Sequence, residues 1–431
     1  MKSTVLFEHP LGVFPQKPEK LARLENDILF WFEGAEQKQL SLEDIVGVSL
    51  IDSRESQFPC LLVHAYPKIA TRNFSKGIRV LKEYCFTCPD LKTRSLWERE
   101  INHALAPKLR HLEVIINPVS GKKQGLEIFT QVRSLLDRSY LTYSVREASG
   151  SADVKNFVGN LDLSKVDSLV IVGGDGTVHD AIAALMNRPD WEKASELPLG
   201  IIPAGTGNGL AKSLLELRQE AYDPLNAAFL IAKGKQQKLD LIKVKQNNKQ
   251  YYSFLSLAWG LISDVDIKSE KLKFLGSLRF DVYALFSICF LSTYKGKFSF
   301  LPHPNCKNLK REGIVKQDEW HVIEDDFIFL WAMNTPWAAH DMNVTPYAAL
   351  DDGAIDILIM RRGTSRLEII KALLLCGKGK HLDLPHLEYY KVSSFKLEPQ
   401  TKEGLLVVDG EKVDYSAIEM EIISNSARVY C

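Results

Sequence analysis

The stretch SLVIVGGDGT, residues 168–177, decides the fold class of this chain. It joins a short, continuous apolar run to a Gly-rich turn, and a helical pattern follows from Thr177. An apolar run without polar alternation is typical of a strand that is buried on both faces. Residues 112–126 and 199–209 repeat the same order of strand, small-residue loop and helix. This alternation predicts an α/β domain built on a parallel sheet.

The three loops of these units, residues 117–123, 173–177 and 203–208, follow the carboxyl ends of their strands. In a parallel sheet these ends meet at one edge, where α/β proteins bind their ligands. Small residues let backbone N–H groups approach phosphate oxygens, and the helix N-termini favour anions. The chain has no G-x-x-x-x-G-K-[ST] pattern, which argues against a P-loop enzyme.

Asp175 is the acidic residue of the second loop, with glycines on both sides. This setting predicts a carboxylate that is exposed in a cleft. Taken alone, the pattern is also that of a tight turn in which Asp175 caps the following helix.

The regions on either side of the α/β units are predicted to be rich in strands. Residues 1–108 contain short β-type runs, followed by a helical pattern over residues 90–105 that Asp90 can cap. Strands closed by one C-terminal helix resemble a pleckstrin-homology-like module. Residues 239–431 contain further strand-like runs and read as an antiparallel β-sandwich-like domain, leaving 109–238 as the nucleotide-binding domain.

The C-terminal region also contains two helical patterns, at about 268–292 and 364–376, and a polar segment at 302–317 that reads as a mobile loop.

Bulk charge and hydropathy restrict the partners of this chain. Lys+Arg and Asp+Glu both number 54, so bulk charge gives no case for a nucleic-acid partner. The odd number of cysteines, seven, fits reduced thiols in the cytoplasm. The longest apolar run, residues 282–291, is too short to span a bilayer. If its substrate is a lipid, the chain is expected to be recruited peripherally and to contact a membrane surface transiently.

The three loops together resemble the catalytic domain shared by diacylglycerol kinases, ceramide kinases and sphingosine kinases, over about residues 110–430. The resemblance implies that ATP is used with Mg²⁺ and that Asp175 is the acid that activates the lipid hydroxyl. It also implies a nucleotide-binding role for a set of loop residues. These are Asn117, Ser120, Gly121, Lys122, Gly174, Gly176, Thr177, Gly205, Thr206, Gly207 and Asn208.

A fourth segment, residues 256–280, looks like the part specific to sphingosine kinases, whose substrates are sphingosine and dihydrosphingosine. The resemblance implies the following roles: Ser256 and Asp266 hold the sphingoid head group, Leu261, Ile262 and Phe280 line the lipid channel, and Lys273 and Arg279 reach ATP. In a late hairpin, Asp409, Gly410 and Glu411 would return to the nucleotide near the adenine. Without the resemblance, the spacing of Asp266 and Lys273 is also that of a solvated helix face.

The chain departs from the family pattern at a few positions. Asp180 stands where sphingosine kinases usually have Glu, and Lys273 stands where they often have Arg. Lys123 and Gln124 replace the usual Gly and Lys of the first loop. A Lys in place of Arg exchanges a bidentate phosphate contact for a point charge.

Three alternative functions remain open at the level of sequence. A ceramide or diacylglycerol kinase would share the fold, and an NAD kinase would share the GGDG loop. An inactive lipid-binding or scaffold protein would belong to another class. Because the phosphate and lipid motifs lie after residue 110, the N-terminal module is expected to be dispensable for chemistry.

Overall fold

The structure is a computed structural model that describes most of the chain. The described residues are 5–52, 56–71, 74–106, 108–118, 121, 123–269, 278–304 and 319–431. The predicted mobile loop at 302–317 lies largely outside them.

The N-terminal part is a β-rich module closed by a helix, as predicted. Its strands are β1 (Val5–Val13), β2 (Lys20–Glu25), β3 (Ile28–Glu33), β4 (Glu36–Ser41), β5 (Ile45–Ile51), β6 (Cys60–Ala65), β7 (Lys68–Thr71), β8 (Phe74–Arg79) and β9 (Lys82–Thr87). Seven of them form an antiparallel sheet in the order β4-β3-β2-β1-β9-β6-β5, and β7 and β8 form a separate hairpin.

The helix α1 (Leu91–Leu105) closes this sheet. Its predicted start is confirmed, because the Asp90 carboxylate accepts a hydrogen bond of 2.6 Å from the backbone N–H of Thr93. Trp97 and Ile101 of the helix are buried in the core of the module. The pleckstrin-homology-like identity stays a prediction.

The central part alternates strands and helices. Its elements are β10 (Arg110–Ile116), α2 (Gly125–Asp137), β11 (Leu141–Glu147), α3 (Ser151–Gly159), β12 (Ser168–Gly173), α4 (Asp175–Met186), α5 (Trp191–Ser195), β13 (Leu199–Pro203), α6 (Gly209–Leu217) and α7 (Pro224–Lys233). The four strands are parallel in the order β11-β10-β12-β13. In β12, Leu169 and Ile171 enter one apolar core, and Val170 and Val172 enter a second core on the opposite face. Burial on both faces explains the continuous apolar run.

The C-terminal part is dominated by antiparallel strands. Its elements are β14 (Gln236–Gln246), β15 (Lys249–Ser253), β16 (Ser256–Gly260), α8 (Leu261–Lys268), α9 (Leu278–Cys289), β17 (Tyr294–Pro302), β18 (His321–Met333), β19 (Ile355–Arg361), α10 (Arg366–Cys376), β20 (Leu387–Pro399), β21 (Leu406–Val408), β22 (Glu411–Val413) and β23 (Ile418–Tyr430). The helix predicted at 364–376 is confirmed as α10. Within the helix predicted at 268–292, the described residues Leu278–Cys289 form α9, and α8 ends where the predicted helix begins, at Lys268.

The last strand, β23, joins the central and C-terminal parts into one mixed sheet. It pairs in parallel with β13 and antiparallel with β14 and β20. The purely parallel sheet of the prediction therefore continues into antiparallel strands. The predicted boundary between residues 238 and 239 lies within β14, which begins at Gln236. The domain boundaries remain predictions.

Candidate active site

The three Gly-rich loops meet at the carboxyl ends of β10, β12 and β13. A Cβ atom on Gly205 would lie 2.3 Å from the Cα atom of Gly174, and one on Gly121 would lie 2.7 Å from the Ala204 carbonyl oxygen. The Ala204 N–H donates to the Gly173 carbonyl oxygen at 2.9 Å. The loops therefore touch backbone to backbone, which only residues without a side chain allow at these points.

Replacing Gly205 with Ala should weaken ATP binding. The new methyl group would meet backbone atoms of Gly174, which cannot move aside as a flexible side chain would. We expect the displaced loop to weaken one charge-assisted backbone hydrogen bond to phosphate by ~0.5–1.5 kcal/mol without breaking it, and KM for ATP to rise about 2- to 10-fold. Steady-state kinetics with each substrate varied in turn would measure this. Gly159→Ala is the matched control, because a Cβ at Gly159 meets no atom of the described residues within 4 Å. An equal rise in KM for both substrates would point to misfolding of the variant.

Asp175 is the first residue of α4, and the N-terminus of α6 holds its carboxylate. The N–H of Gly209 donates to Oδ2 at 2.7 Å, and the N–H of Leu210 donates to Oδ1 at 3.4 Å. The N–H of Asp175 donates to the Gly207 carbonyl oxygen at 3.1 Å. The Asp175 carboxylate therefore accepts the first free amides of α6. It caps α6, and not α4, the helix to which it belongs. An ionised carboxylate can accept further hydrogen bonds beyond these two.

Burial raises the pKa of Asp175 to about 7, against the opposing effect of the two N–H donors, and the nearby Asp409 carboxylate adds to the rise. A carboxylate that exchanges a proton near neutral pH suits general base catalysis. Next to it, Gly176 is exposed, and a Cβ there would meet no atom of the described residues within 4 Å. The Asp175 side chain is itself buried, because the start of α6 packs over it, so the predicted exposed carboxylate is wrong and the open space lies beside it at Gly176.

Hydrogen bonds from polar side chains hold the loops in place. The Asn117 Nδ2 donates to Thr177 Oγ1 at 2.9 Å, which links the first loop to the second. The Asn208 Nδ2 donates to the Gly205 carbonyl oxygen at 2.6 Å, which fixes the third loop. Asn208 and Thr177 are buried, whereas Thr206 and Gly207 are exposed at the loop tip. Among the residues predicted to bind the nucleotide, Thr206 and Gly207 are thus better placed than Asn208 and Thr177 to contact it directly.

The late hairpin has the predicted form, with Asp409 and Gly410 at positive φ between β21 and β22. The Asp409 side chain is fully buried. Its Oδ1 accepts from the Ser253 hydroxyl at 2.7 Å, and its two oxygens accept from the amides of residues 254–256 at 2.9–3.1 Å. The carboxylate therefore fixes the start of β16, where Ser256 lies. Gly410 and Glu411, by contrast, are exposed.

His179 joins Asp409 to the helix of Asp175. Its Nδ1 lies 2.9 Å from Asp409 Oδ2, and it is four residues after Asp175 in α4. Burial lowers the pKa of His179, but the hydrogen bond and charge of Asp409 outweigh it, so the pKa lies above its ordinary value. The same pairing overcomes the effect of burial on Asp409, whose pKa is lowered. The structure thus ties the predicted nucleotide hairpin to α4, the helix that begins at Asp175, through a buried ion pair.

The segment predicted to hold the sphingoid head group runs from β16 directly into α8. Gly260 makes the turn at φ 77°, where a Cβ would lie 2.4 Å from the Ile328 carbonyl oxygen. Leu261 is buried and Ile262 partly buried in an apolar cluster beneath α8, α9 and α10. Asp266 is half-buried in the same helix. Three of the predicted lipid-contacting residues, Leu261, Ile262 and Asp266, therefore lie on α8, and Ser256 lies on the strand before it.

Several predicted residues lie outside the described part of the chain. Ser120, Lys122 and Lys273 are not among the described residues. The backbones of Arg279 and Phe280 belong to α9, but their side chains are likewise not described. Their roles stay predictions.

Sequence reasoning missed two contributors to the surroundings of Asp175. The proximity of His179 could have been predicted, because it is four residues after Asp175 and residues four apart share a helix face. No sequence pattern indicated that Tyr222 lies near Asp175. Burial raises its pKa, and so does the charge of Asp175, while its hydroxyl contacts the Asn208 side chain. The Tyr222 ring stacks on His340 with centroids 5.4 Å apart.

Among the described residues, no group of three or more His, Cys, Asp or Glu side chains is arranged to hold a metal ion. Asp180 forms an ion pair of 2.9 Å with Lys155. Mg²⁺ commonly enters kinase sites on the substrate phosphates, with only one or two carboxylates and water added. The described residues therefore do not fit an all-protein cage, and a Mg²⁺ ion at this site would be held mainly by the phosphates of the nucleotide.

No helix within the described ranges is both long enough and apolar enough to cross a membrane.

Two families match separate parts of the chain. The diacylglycerol kinase catalytic domain matches residues 111–244, and the YegS C-terminal NAD kinase beta sandwich-like domain matches residues 318–431. Two crystal structures from Bacillus anthracis str. Sterne share the fold. The first aligns with a TM-score of 0.57 and 21% identity over 75% of this chain and 95% of that chain. The second, a diacylglycerol kinase, aligns with a TM-score of 0.52 and 17% identity over 75% and 96%.

Relatives with higher identity carry the name sphingosine kinase. Sphingosine kinase 2 of Arabidopsis thaliana is 33% identical over 415 residues, covering 89% of this chain and 85% of the relative. Sphingosine kinase 1 of the same plant is 31% identical, covering 78% and 76%. Sphingosine kinase 1 of Homo sapiens is 30% identical, covering 74% and 90%. Together with the two matching domains, these relatives show that the chain belongs to the sphingosine kinase family, whose catalytic domain is of the diacylglycerol kinase type.

Proposed function

We propose that this chain transfers the γ-phosphoryl group of ATP to the primary hydroxyl of sphingosine or dihydrosphingosine, giving the 1-phosphate. The observation that carries the proposal is the placement of Asp175, a buried carboxylate with a pKa of about 7 at the meeting point of three Gly-rich loops. Family membership supports the lipid class of the acceptor.

ATP lies along the three loops in this proposal. Exposed backbone at Gly176, Thr206 and Gly207 supplies N–H groups for the phosphates, and the N-termini of α4 and α6 add favourable dipoles. Mg²⁺, when bound, neutralises charge on the β- and γ-phosphates. We assign no residue of this chain to the metal, which enters with the nucleotide.

Asp175 acts as the general base. The lipid hydroxyl oxygen forms a bond to the γ-phosphorus while the bond from that phosphorus to the bridging oxygen of ADP breaks. The hydroxyl proton passes to a carboxylate oxygen of Asp175, and ADP leaves with the electron pair of the broken bond. The amides of Gly209 and Leu210 hold the carboxylate in place during transfer.

The acceptor lies against β16 and α8. Asp266 offers a negative charge for the protonated amine of the sphingoid base, and Ser256 offers a hydrogen-bonding group. The lipid tail enters the apolar cluster beneath α8, α9 and α10, to which Leu261 and Ile262 belong. Ceramide has an uncharged amide in place of the amine, and diacylglycerol has no nitrogen there, so a carboxylate favours the sphingoid base.

A panel of acceptors tests this proposal. The full chain would be incubated with radiolabelled ATP, Mg²⁺ and sphingosine, dihydrosphingosine, ceramide or diacylglycerol in detergent micelles. We expect label in the two sphingoid bases. Label only in ceramide or diacylglycerol would replace the substrate assignment, and no label in any lipid would favour a scaffold function.

The exposed face of α9 supports the proposed transient contact with a membrane surface. Val282, Leu285, Phe286 and Phe290, here called the α9 stripe, recur at spacings of three and four residues and are 48–70% exposed. The Phe286 and Phe290 rings lie 4.9 Å apart between centroids. Exposed apolar stripes on a helix are suited to the interface between lipid head groups and acyl chains. The opposite face of α9 packs through Ile288 into the apolar cluster that contains Leu261, so the proposed membrane contact lies beside the proposed lipid site.

Replacing Leu285 and Phe286 together with Glu should reduce binding to phosphatidylcholine vesicles at least about tenfold, since each side chain is 55% exposed and only that exposed part is newly buried in the interface. The two side chains would no longer bury apolar surface in the interface, and burial of one such side chain contributes ~1.5–3 kcal/mol. Vesicle sedimentation measures the effect, and the melting temperature should not change, because both side chains are exposed.

Leu91→Glu is the control for this pair, because Leu91 is an exposed apolar residue at the start of α1, outside the stripe. An acidic residue is tolerated well in the first turn of a helix. Equal binding by the stripe variant and the wild type would remove α9 from the membrane contact.

We further propose the three-part division at residues 1–108, 109–238 and 239–431, with a pleckstrin-homology-like N-terminal module and a cytoplasmic location. The seven-stranded antiparallel sheet closed by α1 supports the module assignment.

A further inference from the structure

The β7–β8 hairpin of the N-terminal module places cations at the C-terminal end of α6. Lys76 contacts the Glu216 carboxylate, which also lies 2.6 Å from the Lys212 ammonium within the helix. Lys68 lies 3.0 Å from Glu220 and also donates to the Gln219 carbonyl oxygen at 3.0 Å. Positive charge near a helix C-terminus interacts favourably with the helix dipole, and Gln219 and Glu220 directly follow the last turn of α6.

A buried network around Arg79, the last residue of β8, makes this attachment firm. The Arg79 guanidinium donates to both oxygens of Glu220, at 2.8 and 3.3 Å, and its backbone N–H donates to Asn226 Oδ1 at 3.1 Å. Its planar group also lies 3.5 Å from the centroid of the Phe229 ring. Arg79, Glu220 and Asn226 are all buried. Such fully paired and desolvated groups fix geometry, because any movement would leave a buried charge without a partner.

The opposite end of the same helix holds the proposed base. The first two amides of α6, those of Gly209 and Leu210, donate to the Asp175 carboxylate. The helix has 9 residues, and α-helices rise about 1.5 Å per residue, so its ends are about 12 Å apart. A helix this short moves as a rigid body, and a shift at its C-terminal end changes where its first amides lie.

We propose that the β7–β8 hairpin positions the active site: by holding the C-terminal end of α6, it fixes the amides that orient Asp175. The proposal rests on the proposed function, in which Asp175 is the base. It replaces the expectation that the N-terminal module is dispensable for chemistry. Lys68, Lys76 and Arg79 are positioning residues in this proposal, since they act on Asp175 only through α6.

The double variant Lys68→Met/Lys76→Met tests the proposal without leaving a buried charge, since both lysines are partly exposed. Arg79 is less suitable, because its removal would strand the buried Glu220. We expect the single-turnover rate of phosphate transfer to fall about 3- to 10-fold, since small displacements of reacting groups are costly to rate. KM for ATP and for sphingosine should stay within about twofold, because neither lysine lies in the proposed binding sites.

The pH profile of the single-turnover rate separates positioning from loss of stability. Amide donors favour the charged carboxylate, so weaker donation by Gly209 and Leu210 should raise the pKa of Asp175 and move the acidic limb to higher pH. The other titratable groups that bear on Asp175 are Asp409, on the hairpin, and Tyr222, which follows α6. Both are unchanged in the variant.

Two further variants control for charge and for general loosening of the interface. Lys76→Met/Glu216→Gln removes one charge of each sign and should still shift the acidic limb, which excludes an effect of net charge. Lys235→Met removes an exposed ion pair of 3.4 Å with Glu43 in the same interface but away from α6, and should leave the limb in place. The proposal would be overturned if the acidic limb of the pH profile did not shift in Lys68→Met/Lys76→Met. It would also be overturned if Lys235→Met shifted this limb equally. Because the wild type and Asp175→Asn are assayed alongside, failure of the proposed function would appear separately.

Discussion

The Asp175→Asn variant is expected to bind ATP normally and to transfer phosphate about 10²–10⁴-fold more slowly than the wild type. The Asn side chain has the size of the Asp side chain and keeps one oxygen. This oxygen can accept the hydrogen bond that the Gly209 N–H donates to Oδ2 in the wild type, at 2.7 Å. It cannot take a proton from the lipid hydroxyl. Nucleotide affinity, measured by titration calorimetry, and the single-turnover rate with sphingosine would report the two properties independently.

Wild-type activity should rise with pH through about 7, the pKa of Asp175, because the ionised form is the base. Stability should respond in the opposite direction. Burial raises the pKa of Asp175 in the folded state above the ordinary value of 3.8, so the folded protein retains a proton that the unfolded chain has lost. Its contribution to stability therefore falls as pH rises from about 4 through about 7. In Asp175→Asn this fall is absent, so the variant should gain melting temperature relative to the wild type at pH 8 but not at pH 4.

Asp162→Asn is the control for this variant, because Asp162 is an exposed carboxylate that pairs locally with Ser164 and Lys165. Its turnover should match that of the wild type. Turnover by Asp175→Asn within a few-fold of the wild type would remove Asp175 from the role of base.

The three strand-loop-helix units were predictable from sequence because their signals are local. The apolar run at 168–172 reports a strand buried on both faces, and the glycines that follow are needed where loops touch backbone to backbone. The start of α6 at Gly209 was also predictable. Its consequence, that the first amides of α6 hold Asp175, depends on how two loops pack against each other.

Contacts between distant segments could not be predicted from the sequence. His179 and Asp409 are 230 residues apart, and Arg79 and Glu220 are 141 residues apart. Each of these side chains, taken alone, reads as an ordinary surface charge, and no local pattern indicates its partner. The mixed sheet was missed for a related reason: β23, at the C-terminal end, pairs with β13, and strand pairing over that distance carries no periodic signal.

The Asp266→Ala variant should lose affinity for sphingosine while retaining affinity for ATP. A sphingoid base carries an amine that is protonated at neutral pH, beside the hydroxyl that is phosphorylated. A charge-assisted hydrogen bond from this amine to a carboxylate contributes roughly 1.5–3 kcal/mol, so KM for sphingosine should rise about 10- to 150-fold. The preference for sphingosine over an N-acylated analogue should narrow, because the acylated compound never made the ionic contact.

Asp264 supplies the matched control, since it is a carboxylate two residues earlier in the same helix with a structural role. Its Oδ2 accepts from the Tyr294 hydroxyl, and its Oδ1 lies 2.8 Å from the Lys268 ammonium. Asp264→Ala should therefore lower the melting temperature and affect both substrates alike. If Asp266 were only a structural partner of a neighbouring basic side chain, Asp266→Ala would also lower the melting temperature and affect both substrates alike. An unchanged KM for sphingosine in Asp266→Ala, with the melting temperature preserved, would exclude the head-group assignment and move the search for the amine-binding group to another side chain.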